Sequence, residues 1–328
     1  MMQQLNKKHP DDYLLPMRIL WAPIGLMIVF WAIVPESPWF YARHGNKEKA
    51  MKSMKQLYCS VKNYDYEEEY SIIERTIAHE RELLPEAPNT LQVLKGLNLK
   101  RTLIIVVVGI SQQLVGLAII GTYSTYFFSL AGLEDPFLCT VILSCCNLLG
   151  VLLWSLCVDK IGRRTIVTIS ETIICVILFV VGGLYWTGAT TGNAAAGIGL
   201  LVICCFWSFF VQIVGMSYYV YSAELPSALL RAKTGPVTFF SAAVIGVAAC
   251  YATPPMLLAL SIKAAFVYAA FSVPVCIAFW FFLPETKGRS TAEIDELFER
   301  KIPAWKWSKT VTSAERQMHA VVEIKGAV

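Results

Sequence analysis

Residues Gly109–Phe128 read GISQQLVGLAIIGTYSTYFF, and their reading decides the fold. The stretch is apolar enough for a bilayer, yet it carries two adjacent glutamines in its first half. At helical spacing, Gly109, Gln112, Gly116 and Tyr123 fall within about 60° of one another, which predicts one continuous helix with a polar, small-residue stripe. Lipid offers that stripe nothing. Buried amides need partners, so the stripe is expected to face other helices or a watery cavity, where it can hydrogen-bond a polar solute.

Working outward, 56% of the 328 residues are hydrophobic and only 16% are charged. This is the composition of a polytopic membrane protein. Seven segments are long enough to span, near 15–34, 102–131, 137–158, 165–187, 198–223, 237–260 and 264–283. The first has a clean apolar core of only Ile19–Val34 and must borrow Leu14 and Leu15 while Arg18 snorkels to the interface. Residues 1–13 are polar, so no signal peptide is expected. Of the ten cysteines, nine lie in or beside apolar segments and none forms a CxxC pair, so they read as small embedded hydrophobes rather than disulfide or metal sites. No catalytic residue, metal or cofactor is expected, and the chain does not read as an enzyme.

The net charge of +4 is distributed by membrane side. Connections 35–101, 159–165 and 224–236 and the tail from Pro284 hold 24 of the 28 Lys and Arg residues, leaving Lys7, Lys8, Arg18 and Lys263 opposite. The short connections alone give the same answer, placing the C-terminus in the cytoplasm and the N-terminus outside. Nothing suggests nucleic-acid binding. The expected organisation is therefore a tail and first span (1–34), a cytoplasmic loop (35–101), a six-helix bundle (102–283) and a cytoplasmic tail (284–328). In the loop, Ile72, Ile73 and Ile77 with Leu83 and Leu84 recur at helical spacing, predicting short helices packed on the bundle's cytoplasmic end. In the tail, STAEIDELFER predicts a capped amphipathic helix.

Four cytoplasmic helix ends share a pattern of an acid beside a proline or glycine turn: PESPW (Pro35–Trp39), DKIGRR (Asp159–Arg164), AELPSALLRAKT (Ala223–Thr234) and PETKGR (Pro284–Arg289). Helix C-termini carry partial negative charge that arginines satisfy, and the same guanidinium groups pair with carboxylates. Glu36, Asp159, Arg163, Arg164, Glu224, Arg231 and Glu285 are thus expected to form ion pairs that hold in one arrangement of the bundle and break in another, as a gate requires. Each cluster alone also reads as an interfacial anchor.

PESPW, DxxGRR, QQxxG with a following tyrosine, and PETKGR, in this order, resemble the sugar-porter branch of the major facilitator superfamily. AELPSALLRAKT, the run from Lys263 to Tyr268, PETKGRS and IPAWKW more narrowly resemble fungal α-glucoside permeases of the maltose type. The likeness runs from about residue 18 to about residue 307. In that family PESP ends the sixth of twelve helices, so the resemblance implies an all-α, partial major facilitator fold: one helix, the central loop and the C-terminal six-helix half, without the first five helices. It further implies transport of a sugar by alternating access, with protons as the coupling ion, in the plasma membrane.

The resemblance implies that Gln112 and Gln113 line the sugar site, with Tyr123 towards the outer gate and Asn147 as a further sugar-facing amide. Tyr219 stands where hexose porters carry a tryptophan, and Met216 where they carry a proline. Ala118 replaces an asparagine of hexose porters and, with Trp39, favours a disaccharide. From its own spacing, Asn147 shares a face with Ser144, Val151 and Trp154, which suits either a cavity or an interhelical hydrogen bond. Glu171 lies seven residues past Arg164, about 10 Å into its span, and is either a proton site or the partner of a cytoplasmic arginine. The alternative class is a seven-span sugar sensor or receptor without transport, which the same span count suits.

Overall fold

The computed structural model describes residues 18–61, 64–83, 90–133, 135–187, 194–227 and 230–312. Two compact units divide the chain, Met1–Pro88 and Asn89–Val328.

In the first unit, α1 (Trp21–Ile33) has 13 residues and no buried side chain. At 1.5 Å per residue it reaches about 20 Å, short of the ~30 Å of hydrocarbon. The span expected over 15–34 is therefore seen only in part, and the residues before Arg18 lie outside the described ones. Helices α2 (Pro38–Arg43), α3 (Lys47–Leu57) and α4 (Tyr66–Leu83) follow. Each start is written in the sequence. Pro38 sits in the first turn of α2, the Asn46 side chain accepts from the Lys49 amide at 3.1 Å, and Asp65 accepts from the amides of Glu67 and Glu68 at 3.0 and 3.1 Å. Ala50, Met54, Tyr70, Ile73 and Ile77 form this unit's core. Ile72, expected on the packed face, is 48% exposed, because only one residue of an adjacent pair faces inward on a helix. Leu84 lies outside the described residues, as does the side chain of Leu83.

The second unit is built of helices alone among the described residues: α5 (Gly96–Gln112), a widened segment (Gln113–Thr122), α6 (Ser124–Leu130), α7 (Pro136–Ile161), α8 (Arg163–Gly183), α9 (Ala194–Glu224), α10 (Arg231–Leu260), α11 (Ala264–Phe282) and α12 (Thr291–Glu299). Among the described residues, five stretches are long and apolar enough to cross a membrane: Gly96–Thr122, Pro136–Ile161, Arg163–Trp186, Ala195–Glu224 and Arg231–Phe282. The last folds back at Ser261 (φ +52°), where Thr253 of α10 and Tyr268 of α11 share a 2.6 Å hydroxyl contact. Arg231–Phe282 thus holds two long apolar helices, so six such helices lie between residues 96 and 282 among the described residues.

Helix α9 is the hub, packed on α7, α8 and α5, while α11 packs on α8 and α10 on α5. The α7–α9 contact depends on Gly150, where an added Cβ would sit 2.5 Å from the Phe209 carbonyl oxygen. Trp207, Phe127, Phe128, Ile119 and Leu178 are among the fully buried side chains of the core. Glu171 is fully buried in α8, and neither carboxyl oxygen has a hydrogen-bond partner among the described residues. It pairs with neither Arg163 nor Arg164, which are engaged elsewhere.

Candidate functional site

The helix predicted to run unbroken through Gly109–Phe128 is broken. At Val115 (φ −83°, ψ 16°) and Gly116 (φ +91°) the backbone leaves helical geometry, and the segment from Gln113 is wound more widely before α6 begins at Ser124. Only glycine takes such a φ without strain, so Gly116 marks a backbone turn rather than a position on a stripe. The freed polar groups find partners: the buried Trp207 indole of α9 donates to the Val115 carbonyl at 3.0 Å, and the Tyr123 amide donates to the Ala118 carbonyl at 2.9 Å. Because the helical wheel does not carry through the break, Tyr123 no longer shares a face with Gln112 by periodicity. Ala118 is 1% exposed and belongs to the core.

Immediately before the break, Gln112 and Gln113 point to different neighbours, as adjacent residues about 100° apart must. The Gln112 carboxamide occupies a notch on α9, where a Cβ at Gly215 would lie 2.1 Å from its Nε2. The Gln113 carboxamide rests on α10, 3.2 Å from where a Gly246 Cβ would be. Both amides are half-buried.

The remaining sugar-site candidates divide along the same line. Asn147 of α7 accepts from the Ser208 hydroxyl of α9 at 2.5 Å, so the interhelical hydrogen bond of its two readings is present. Ser208 and Gly215 are seven residues apart on one stripe of α9, about 10 Å along the axis, with Tyr219 one turn further. Tyr219 is 60% exposed and packs edge-on against Tyr218. Thus Gln112, Asn147 and Tyr219 border one face of α9. On α10, Cys250 is one turn from Gly246, and its carbonyl accepts from the Tyr123 hydroxyl at 3.2 Å. Gln113 and Tyr123 therefore border α10.

At the ends of α7, α8 and α9 the expected ion pairs form in part. The Arg163 guanidinium bonds Asp159 at 2.9 Å and Glu224 at 3.3 Å, tying the ends of α7, α8 and α9. Glu285 joins them differently. Its carboxylate accepts from the backbone amides of Arg163 (3.0 Å) and Lys287 (3.1 Å), and it fills the space beside Gly162, whose φ of +108° lets the α7–α8 turn close so tightly. Arg164 donates to the Trp280 carbonyl at 2.8 Å rather than to an acid, and the Tyr221 hydroxyl donates to the Pro284 carbonyl at 3.1 Å. Arg231 is exposed and forms no ion pair among the described residues. Glu36 lies in the first unit, where it accepts from the Ser37 amide at 3.2 Å.

Sequence reasoning missed Arg101, which is 4% exposed. It bonds Asp295 of α12, donates to the Leu225 carbonyl at 3.4 Å and lies 4.5 Å over the Phe298 ring, fastening the tail helix to the bundle. That helix is capped by Ser290 with Glu293 in a reciprocal capping box. The Glu293 carboxylate, which also accepts from Thr312 at 2.6 Å, is held below its ordinary range, chiefly by that hydroxyl and with burial opposing.

With this geometry in hand, the relatives are informative. The chain is 32% identical over 312 residues to the general α-glucoside permease of Saccharomyces cerevisiae, covering 91% of this chain and 49% of that protein. It is 27% identical over 309 residues to a maltose permease of the same yeast, with coverage of 91% and 49%. The chain spans about half the length of these curated relatives. Among solved structures, the major facilitator superfamily proton:xylose symporter XylE of E. coli matches with a TM-score of 0.64 at 22% identity, covering 84% of this chain and 57% of that one, which shows a partial fold of this kind. The family model described as "Sugar (and other) transporter" matches residues 1–298, and the chain belongs to that family.

Proposed function

We propose that the second unit supplies one wall of a transmembrane path for an α-glucoside such as maltose, carried by alternating access in symport with protons. The observation that carries this reading is the glutamine pair. Two amides stand side by side in an apolar environment, each seated over a glycine of a different helix, directly before a backbone break. An amide presents both donors and an acceptor, so two of them match the vicinal hydroxyls of a sugar ring, and the aromatic faces of Tyr123 and Tyr219 supply stacking surfaces. The break at Gly116 gives the path a hinge beside its binding groups, as discontinuous helices do in transporters.

The Asp159–Arg163–Glu224 cluster and the Glu285 carboxylate act at the far ends of α7, α8, α9 and α11. We assign them the inner gate: the contacts hold these four ends together in the observed arrangement, and their loss releases α8 and α11 as a pair. The charge asymmetry of the connections supports a cytoplasmic position for the cluster and the C-terminus, and the permease relatives support the plasma membrane. The permease relatives support the α-glucoside, the symporter neighbour the proton. The test joins residues 96–312 to the first half of the yeast general α-glucoside permease in a permease-null strain. Accumulation of labelled maltose with proton entry is expected; a surface-expressed chimera that takes up no maltose overturns the proposal.

A further inference from the structure

Away from the glutamine pair, α5, α11 and the chain following α12 line a common recess at the end that carries the charged tail. The result is a groove of about 560 Å³, within the range of about 300–1,000 Å³ usual for ligand sites. Its walls are almost wholly apolar, with Leu103 and Val107 from α5, Phe282 from α11 and Trp305 beyond α12. Two lysines, Lys100 and Lys301, complete the lining. Lys100 lies on the same stripe of α5 as Leu103 and Val107, so a cation stands at the head of a wall that runs apolar into the span.

The structure assigns this groove to an anionic glycerophospholipid, with an acyl chain along α5 and α11 and the phosphate between Lys100 and Lys301. Three observations favour that occupant over a plain lipid-facing surface. First, neither lysine is in an ion pair among the described residues, while three of the four acids of α12 are committed: Asp295 to Arg101, Glu296 to Arg300, and Glu293 to Ser290 and Thr312. Two cations lining one groove repel until an anion joins them. Second, Lys301 has a left-handed backbone, φ +53°, in a helix-ending turn where its amide donates to the Phe298 carbonyl at 3.0 Å and the Ile302 amide to that of Leu297 at 3.3 Å. Glycine is the usual residue there, so the ammonium group is present against the backbone's preference. Third, Trp305 is 48% exposed beside the lysines and meets Phe281 edge-on, the placement of an aromatic side chain at a membrane–water boundary. Resting on the sidedness proposed above, this boundary is the cytoplasmic leaflet, where anionic lipids concentrate and basic pockets bind them.

Native mass spectrometry of the purified full chain, offered equal amounts of phosphatidylserine and phosphatidylcholine, tests the assignment. Phosphatidylserine is expected to be retained about tenfold or more over phosphatidylcholine, since each lysine near a membrane surface contributes about fivefold. The Lys100→Gln, Lys301→Gly pair should bring the ratio close to one without lowering the thermal midpoint, because glycine relieves the backbone at 301. Leu103→Trp, which fills the groove and leaves both lysines, should expel the lipid. Equal retention of the two lipids by the unaltered chain, a preference that survives either variant, or displacement of phosphatidylserine by an equal concentration of glycerol phosphate each overturns the proposal.

Discussion

Replacing Gly215 with alanine tests the seat of Gln112 directly. The new Cβ would lie 2.1 Å from Nε2, 2.8 Å from Cδ and 3.2 Å from Oε1. Non-bonded heavy atoms settle at about 3.5 Å, so the carboxamide must retreat by about 1.4 Å. It is the end of a flexible side chain and can do so, which keeps the fold but moves the amide out of the ~0.5 Å window in which a hydrogen bond to a sugar hydroxyl keeps its strength. A buried hydrogen bond lost this way costs about 1–3 kcal/mol, and 1.4 kcal/mol is tenfold in affinity. In the chimera, Gly215→Ala should therefore raise the KM for maltose about tenfold or more at unchanged surface expression. Gly246→Ala is the internal comparison. Its Cβ would meet Gln113 at 3.2 Å, a displacement of a few tenths of an ångström, and should change KM by less than about threefold. Equal effects of the two substitutions, or a larger one at Gly246, would refute the reasoning.

Other perturbations follow from the same geometry. Trp207→Phe removes the donor from the Val115 carbonyl and should cost about 1–3 kcal/mol, read as a lowered thermal midpoint; an unchanged midpoint means the carbonyl has another partner. Gly150→Ala places a Cβ 2.5 Å from a backbone oxygen that cannot swing aside, so α7 must separate from α9 at about 1–3 kcal/mol, whereas Gly199→Ala, with nothing within 4 Å, should be neutral or slightly stabilising. Because Glu293 is held below its ordinary carboxylate range, the stability it lends α12 is complete above about pH 4.3 and is lost as pH falls through the lowered value. Hydrogen exchange of α12 amides, corrected for intrinsic rate, should accelerate on acidification, and Glu293→Gln should abolish that dependence.

The fold was legible because hydrophobic run length and the acid-plus-turn patterns at helix ends are local features. The six long apolar helices between residues 96 and 282 and the Asp159–Arg163–Glu224 contacts both follow from them. What escaped is non-local. A helical wheel assumes an unbroken helix, so it could not reveal that Gly116 takes φ +91° or that the Trp207 indole, 92 residues away, donates to the freed Val115 carbonyl. A signal was present, since an indole within an apolar run needs an acceptor. Likewise, nothing local in the sequence marks Gly215 and Gly246, and only the packing shows that each seats one amide of the QQ pair. Arg101 was counted as one more cytoplasmic charge. Its burial depends on Asp295 and Phe298, nearly two hundred residues on.

The central claim is that Gln112 and Gln113 hold the sugar. Equilibrium binding of labelled maltose to the purified chimera, with and without Gln112→Ala and Gln113→Ala together, addresses it most directly. The account predicts a Kd raised by at least about tenfold with the thermal midpoint nearly unchanged, since half-buried amides on glycine notches contribute little to packing. An unaltered Kd in a folded double variant would contradict it.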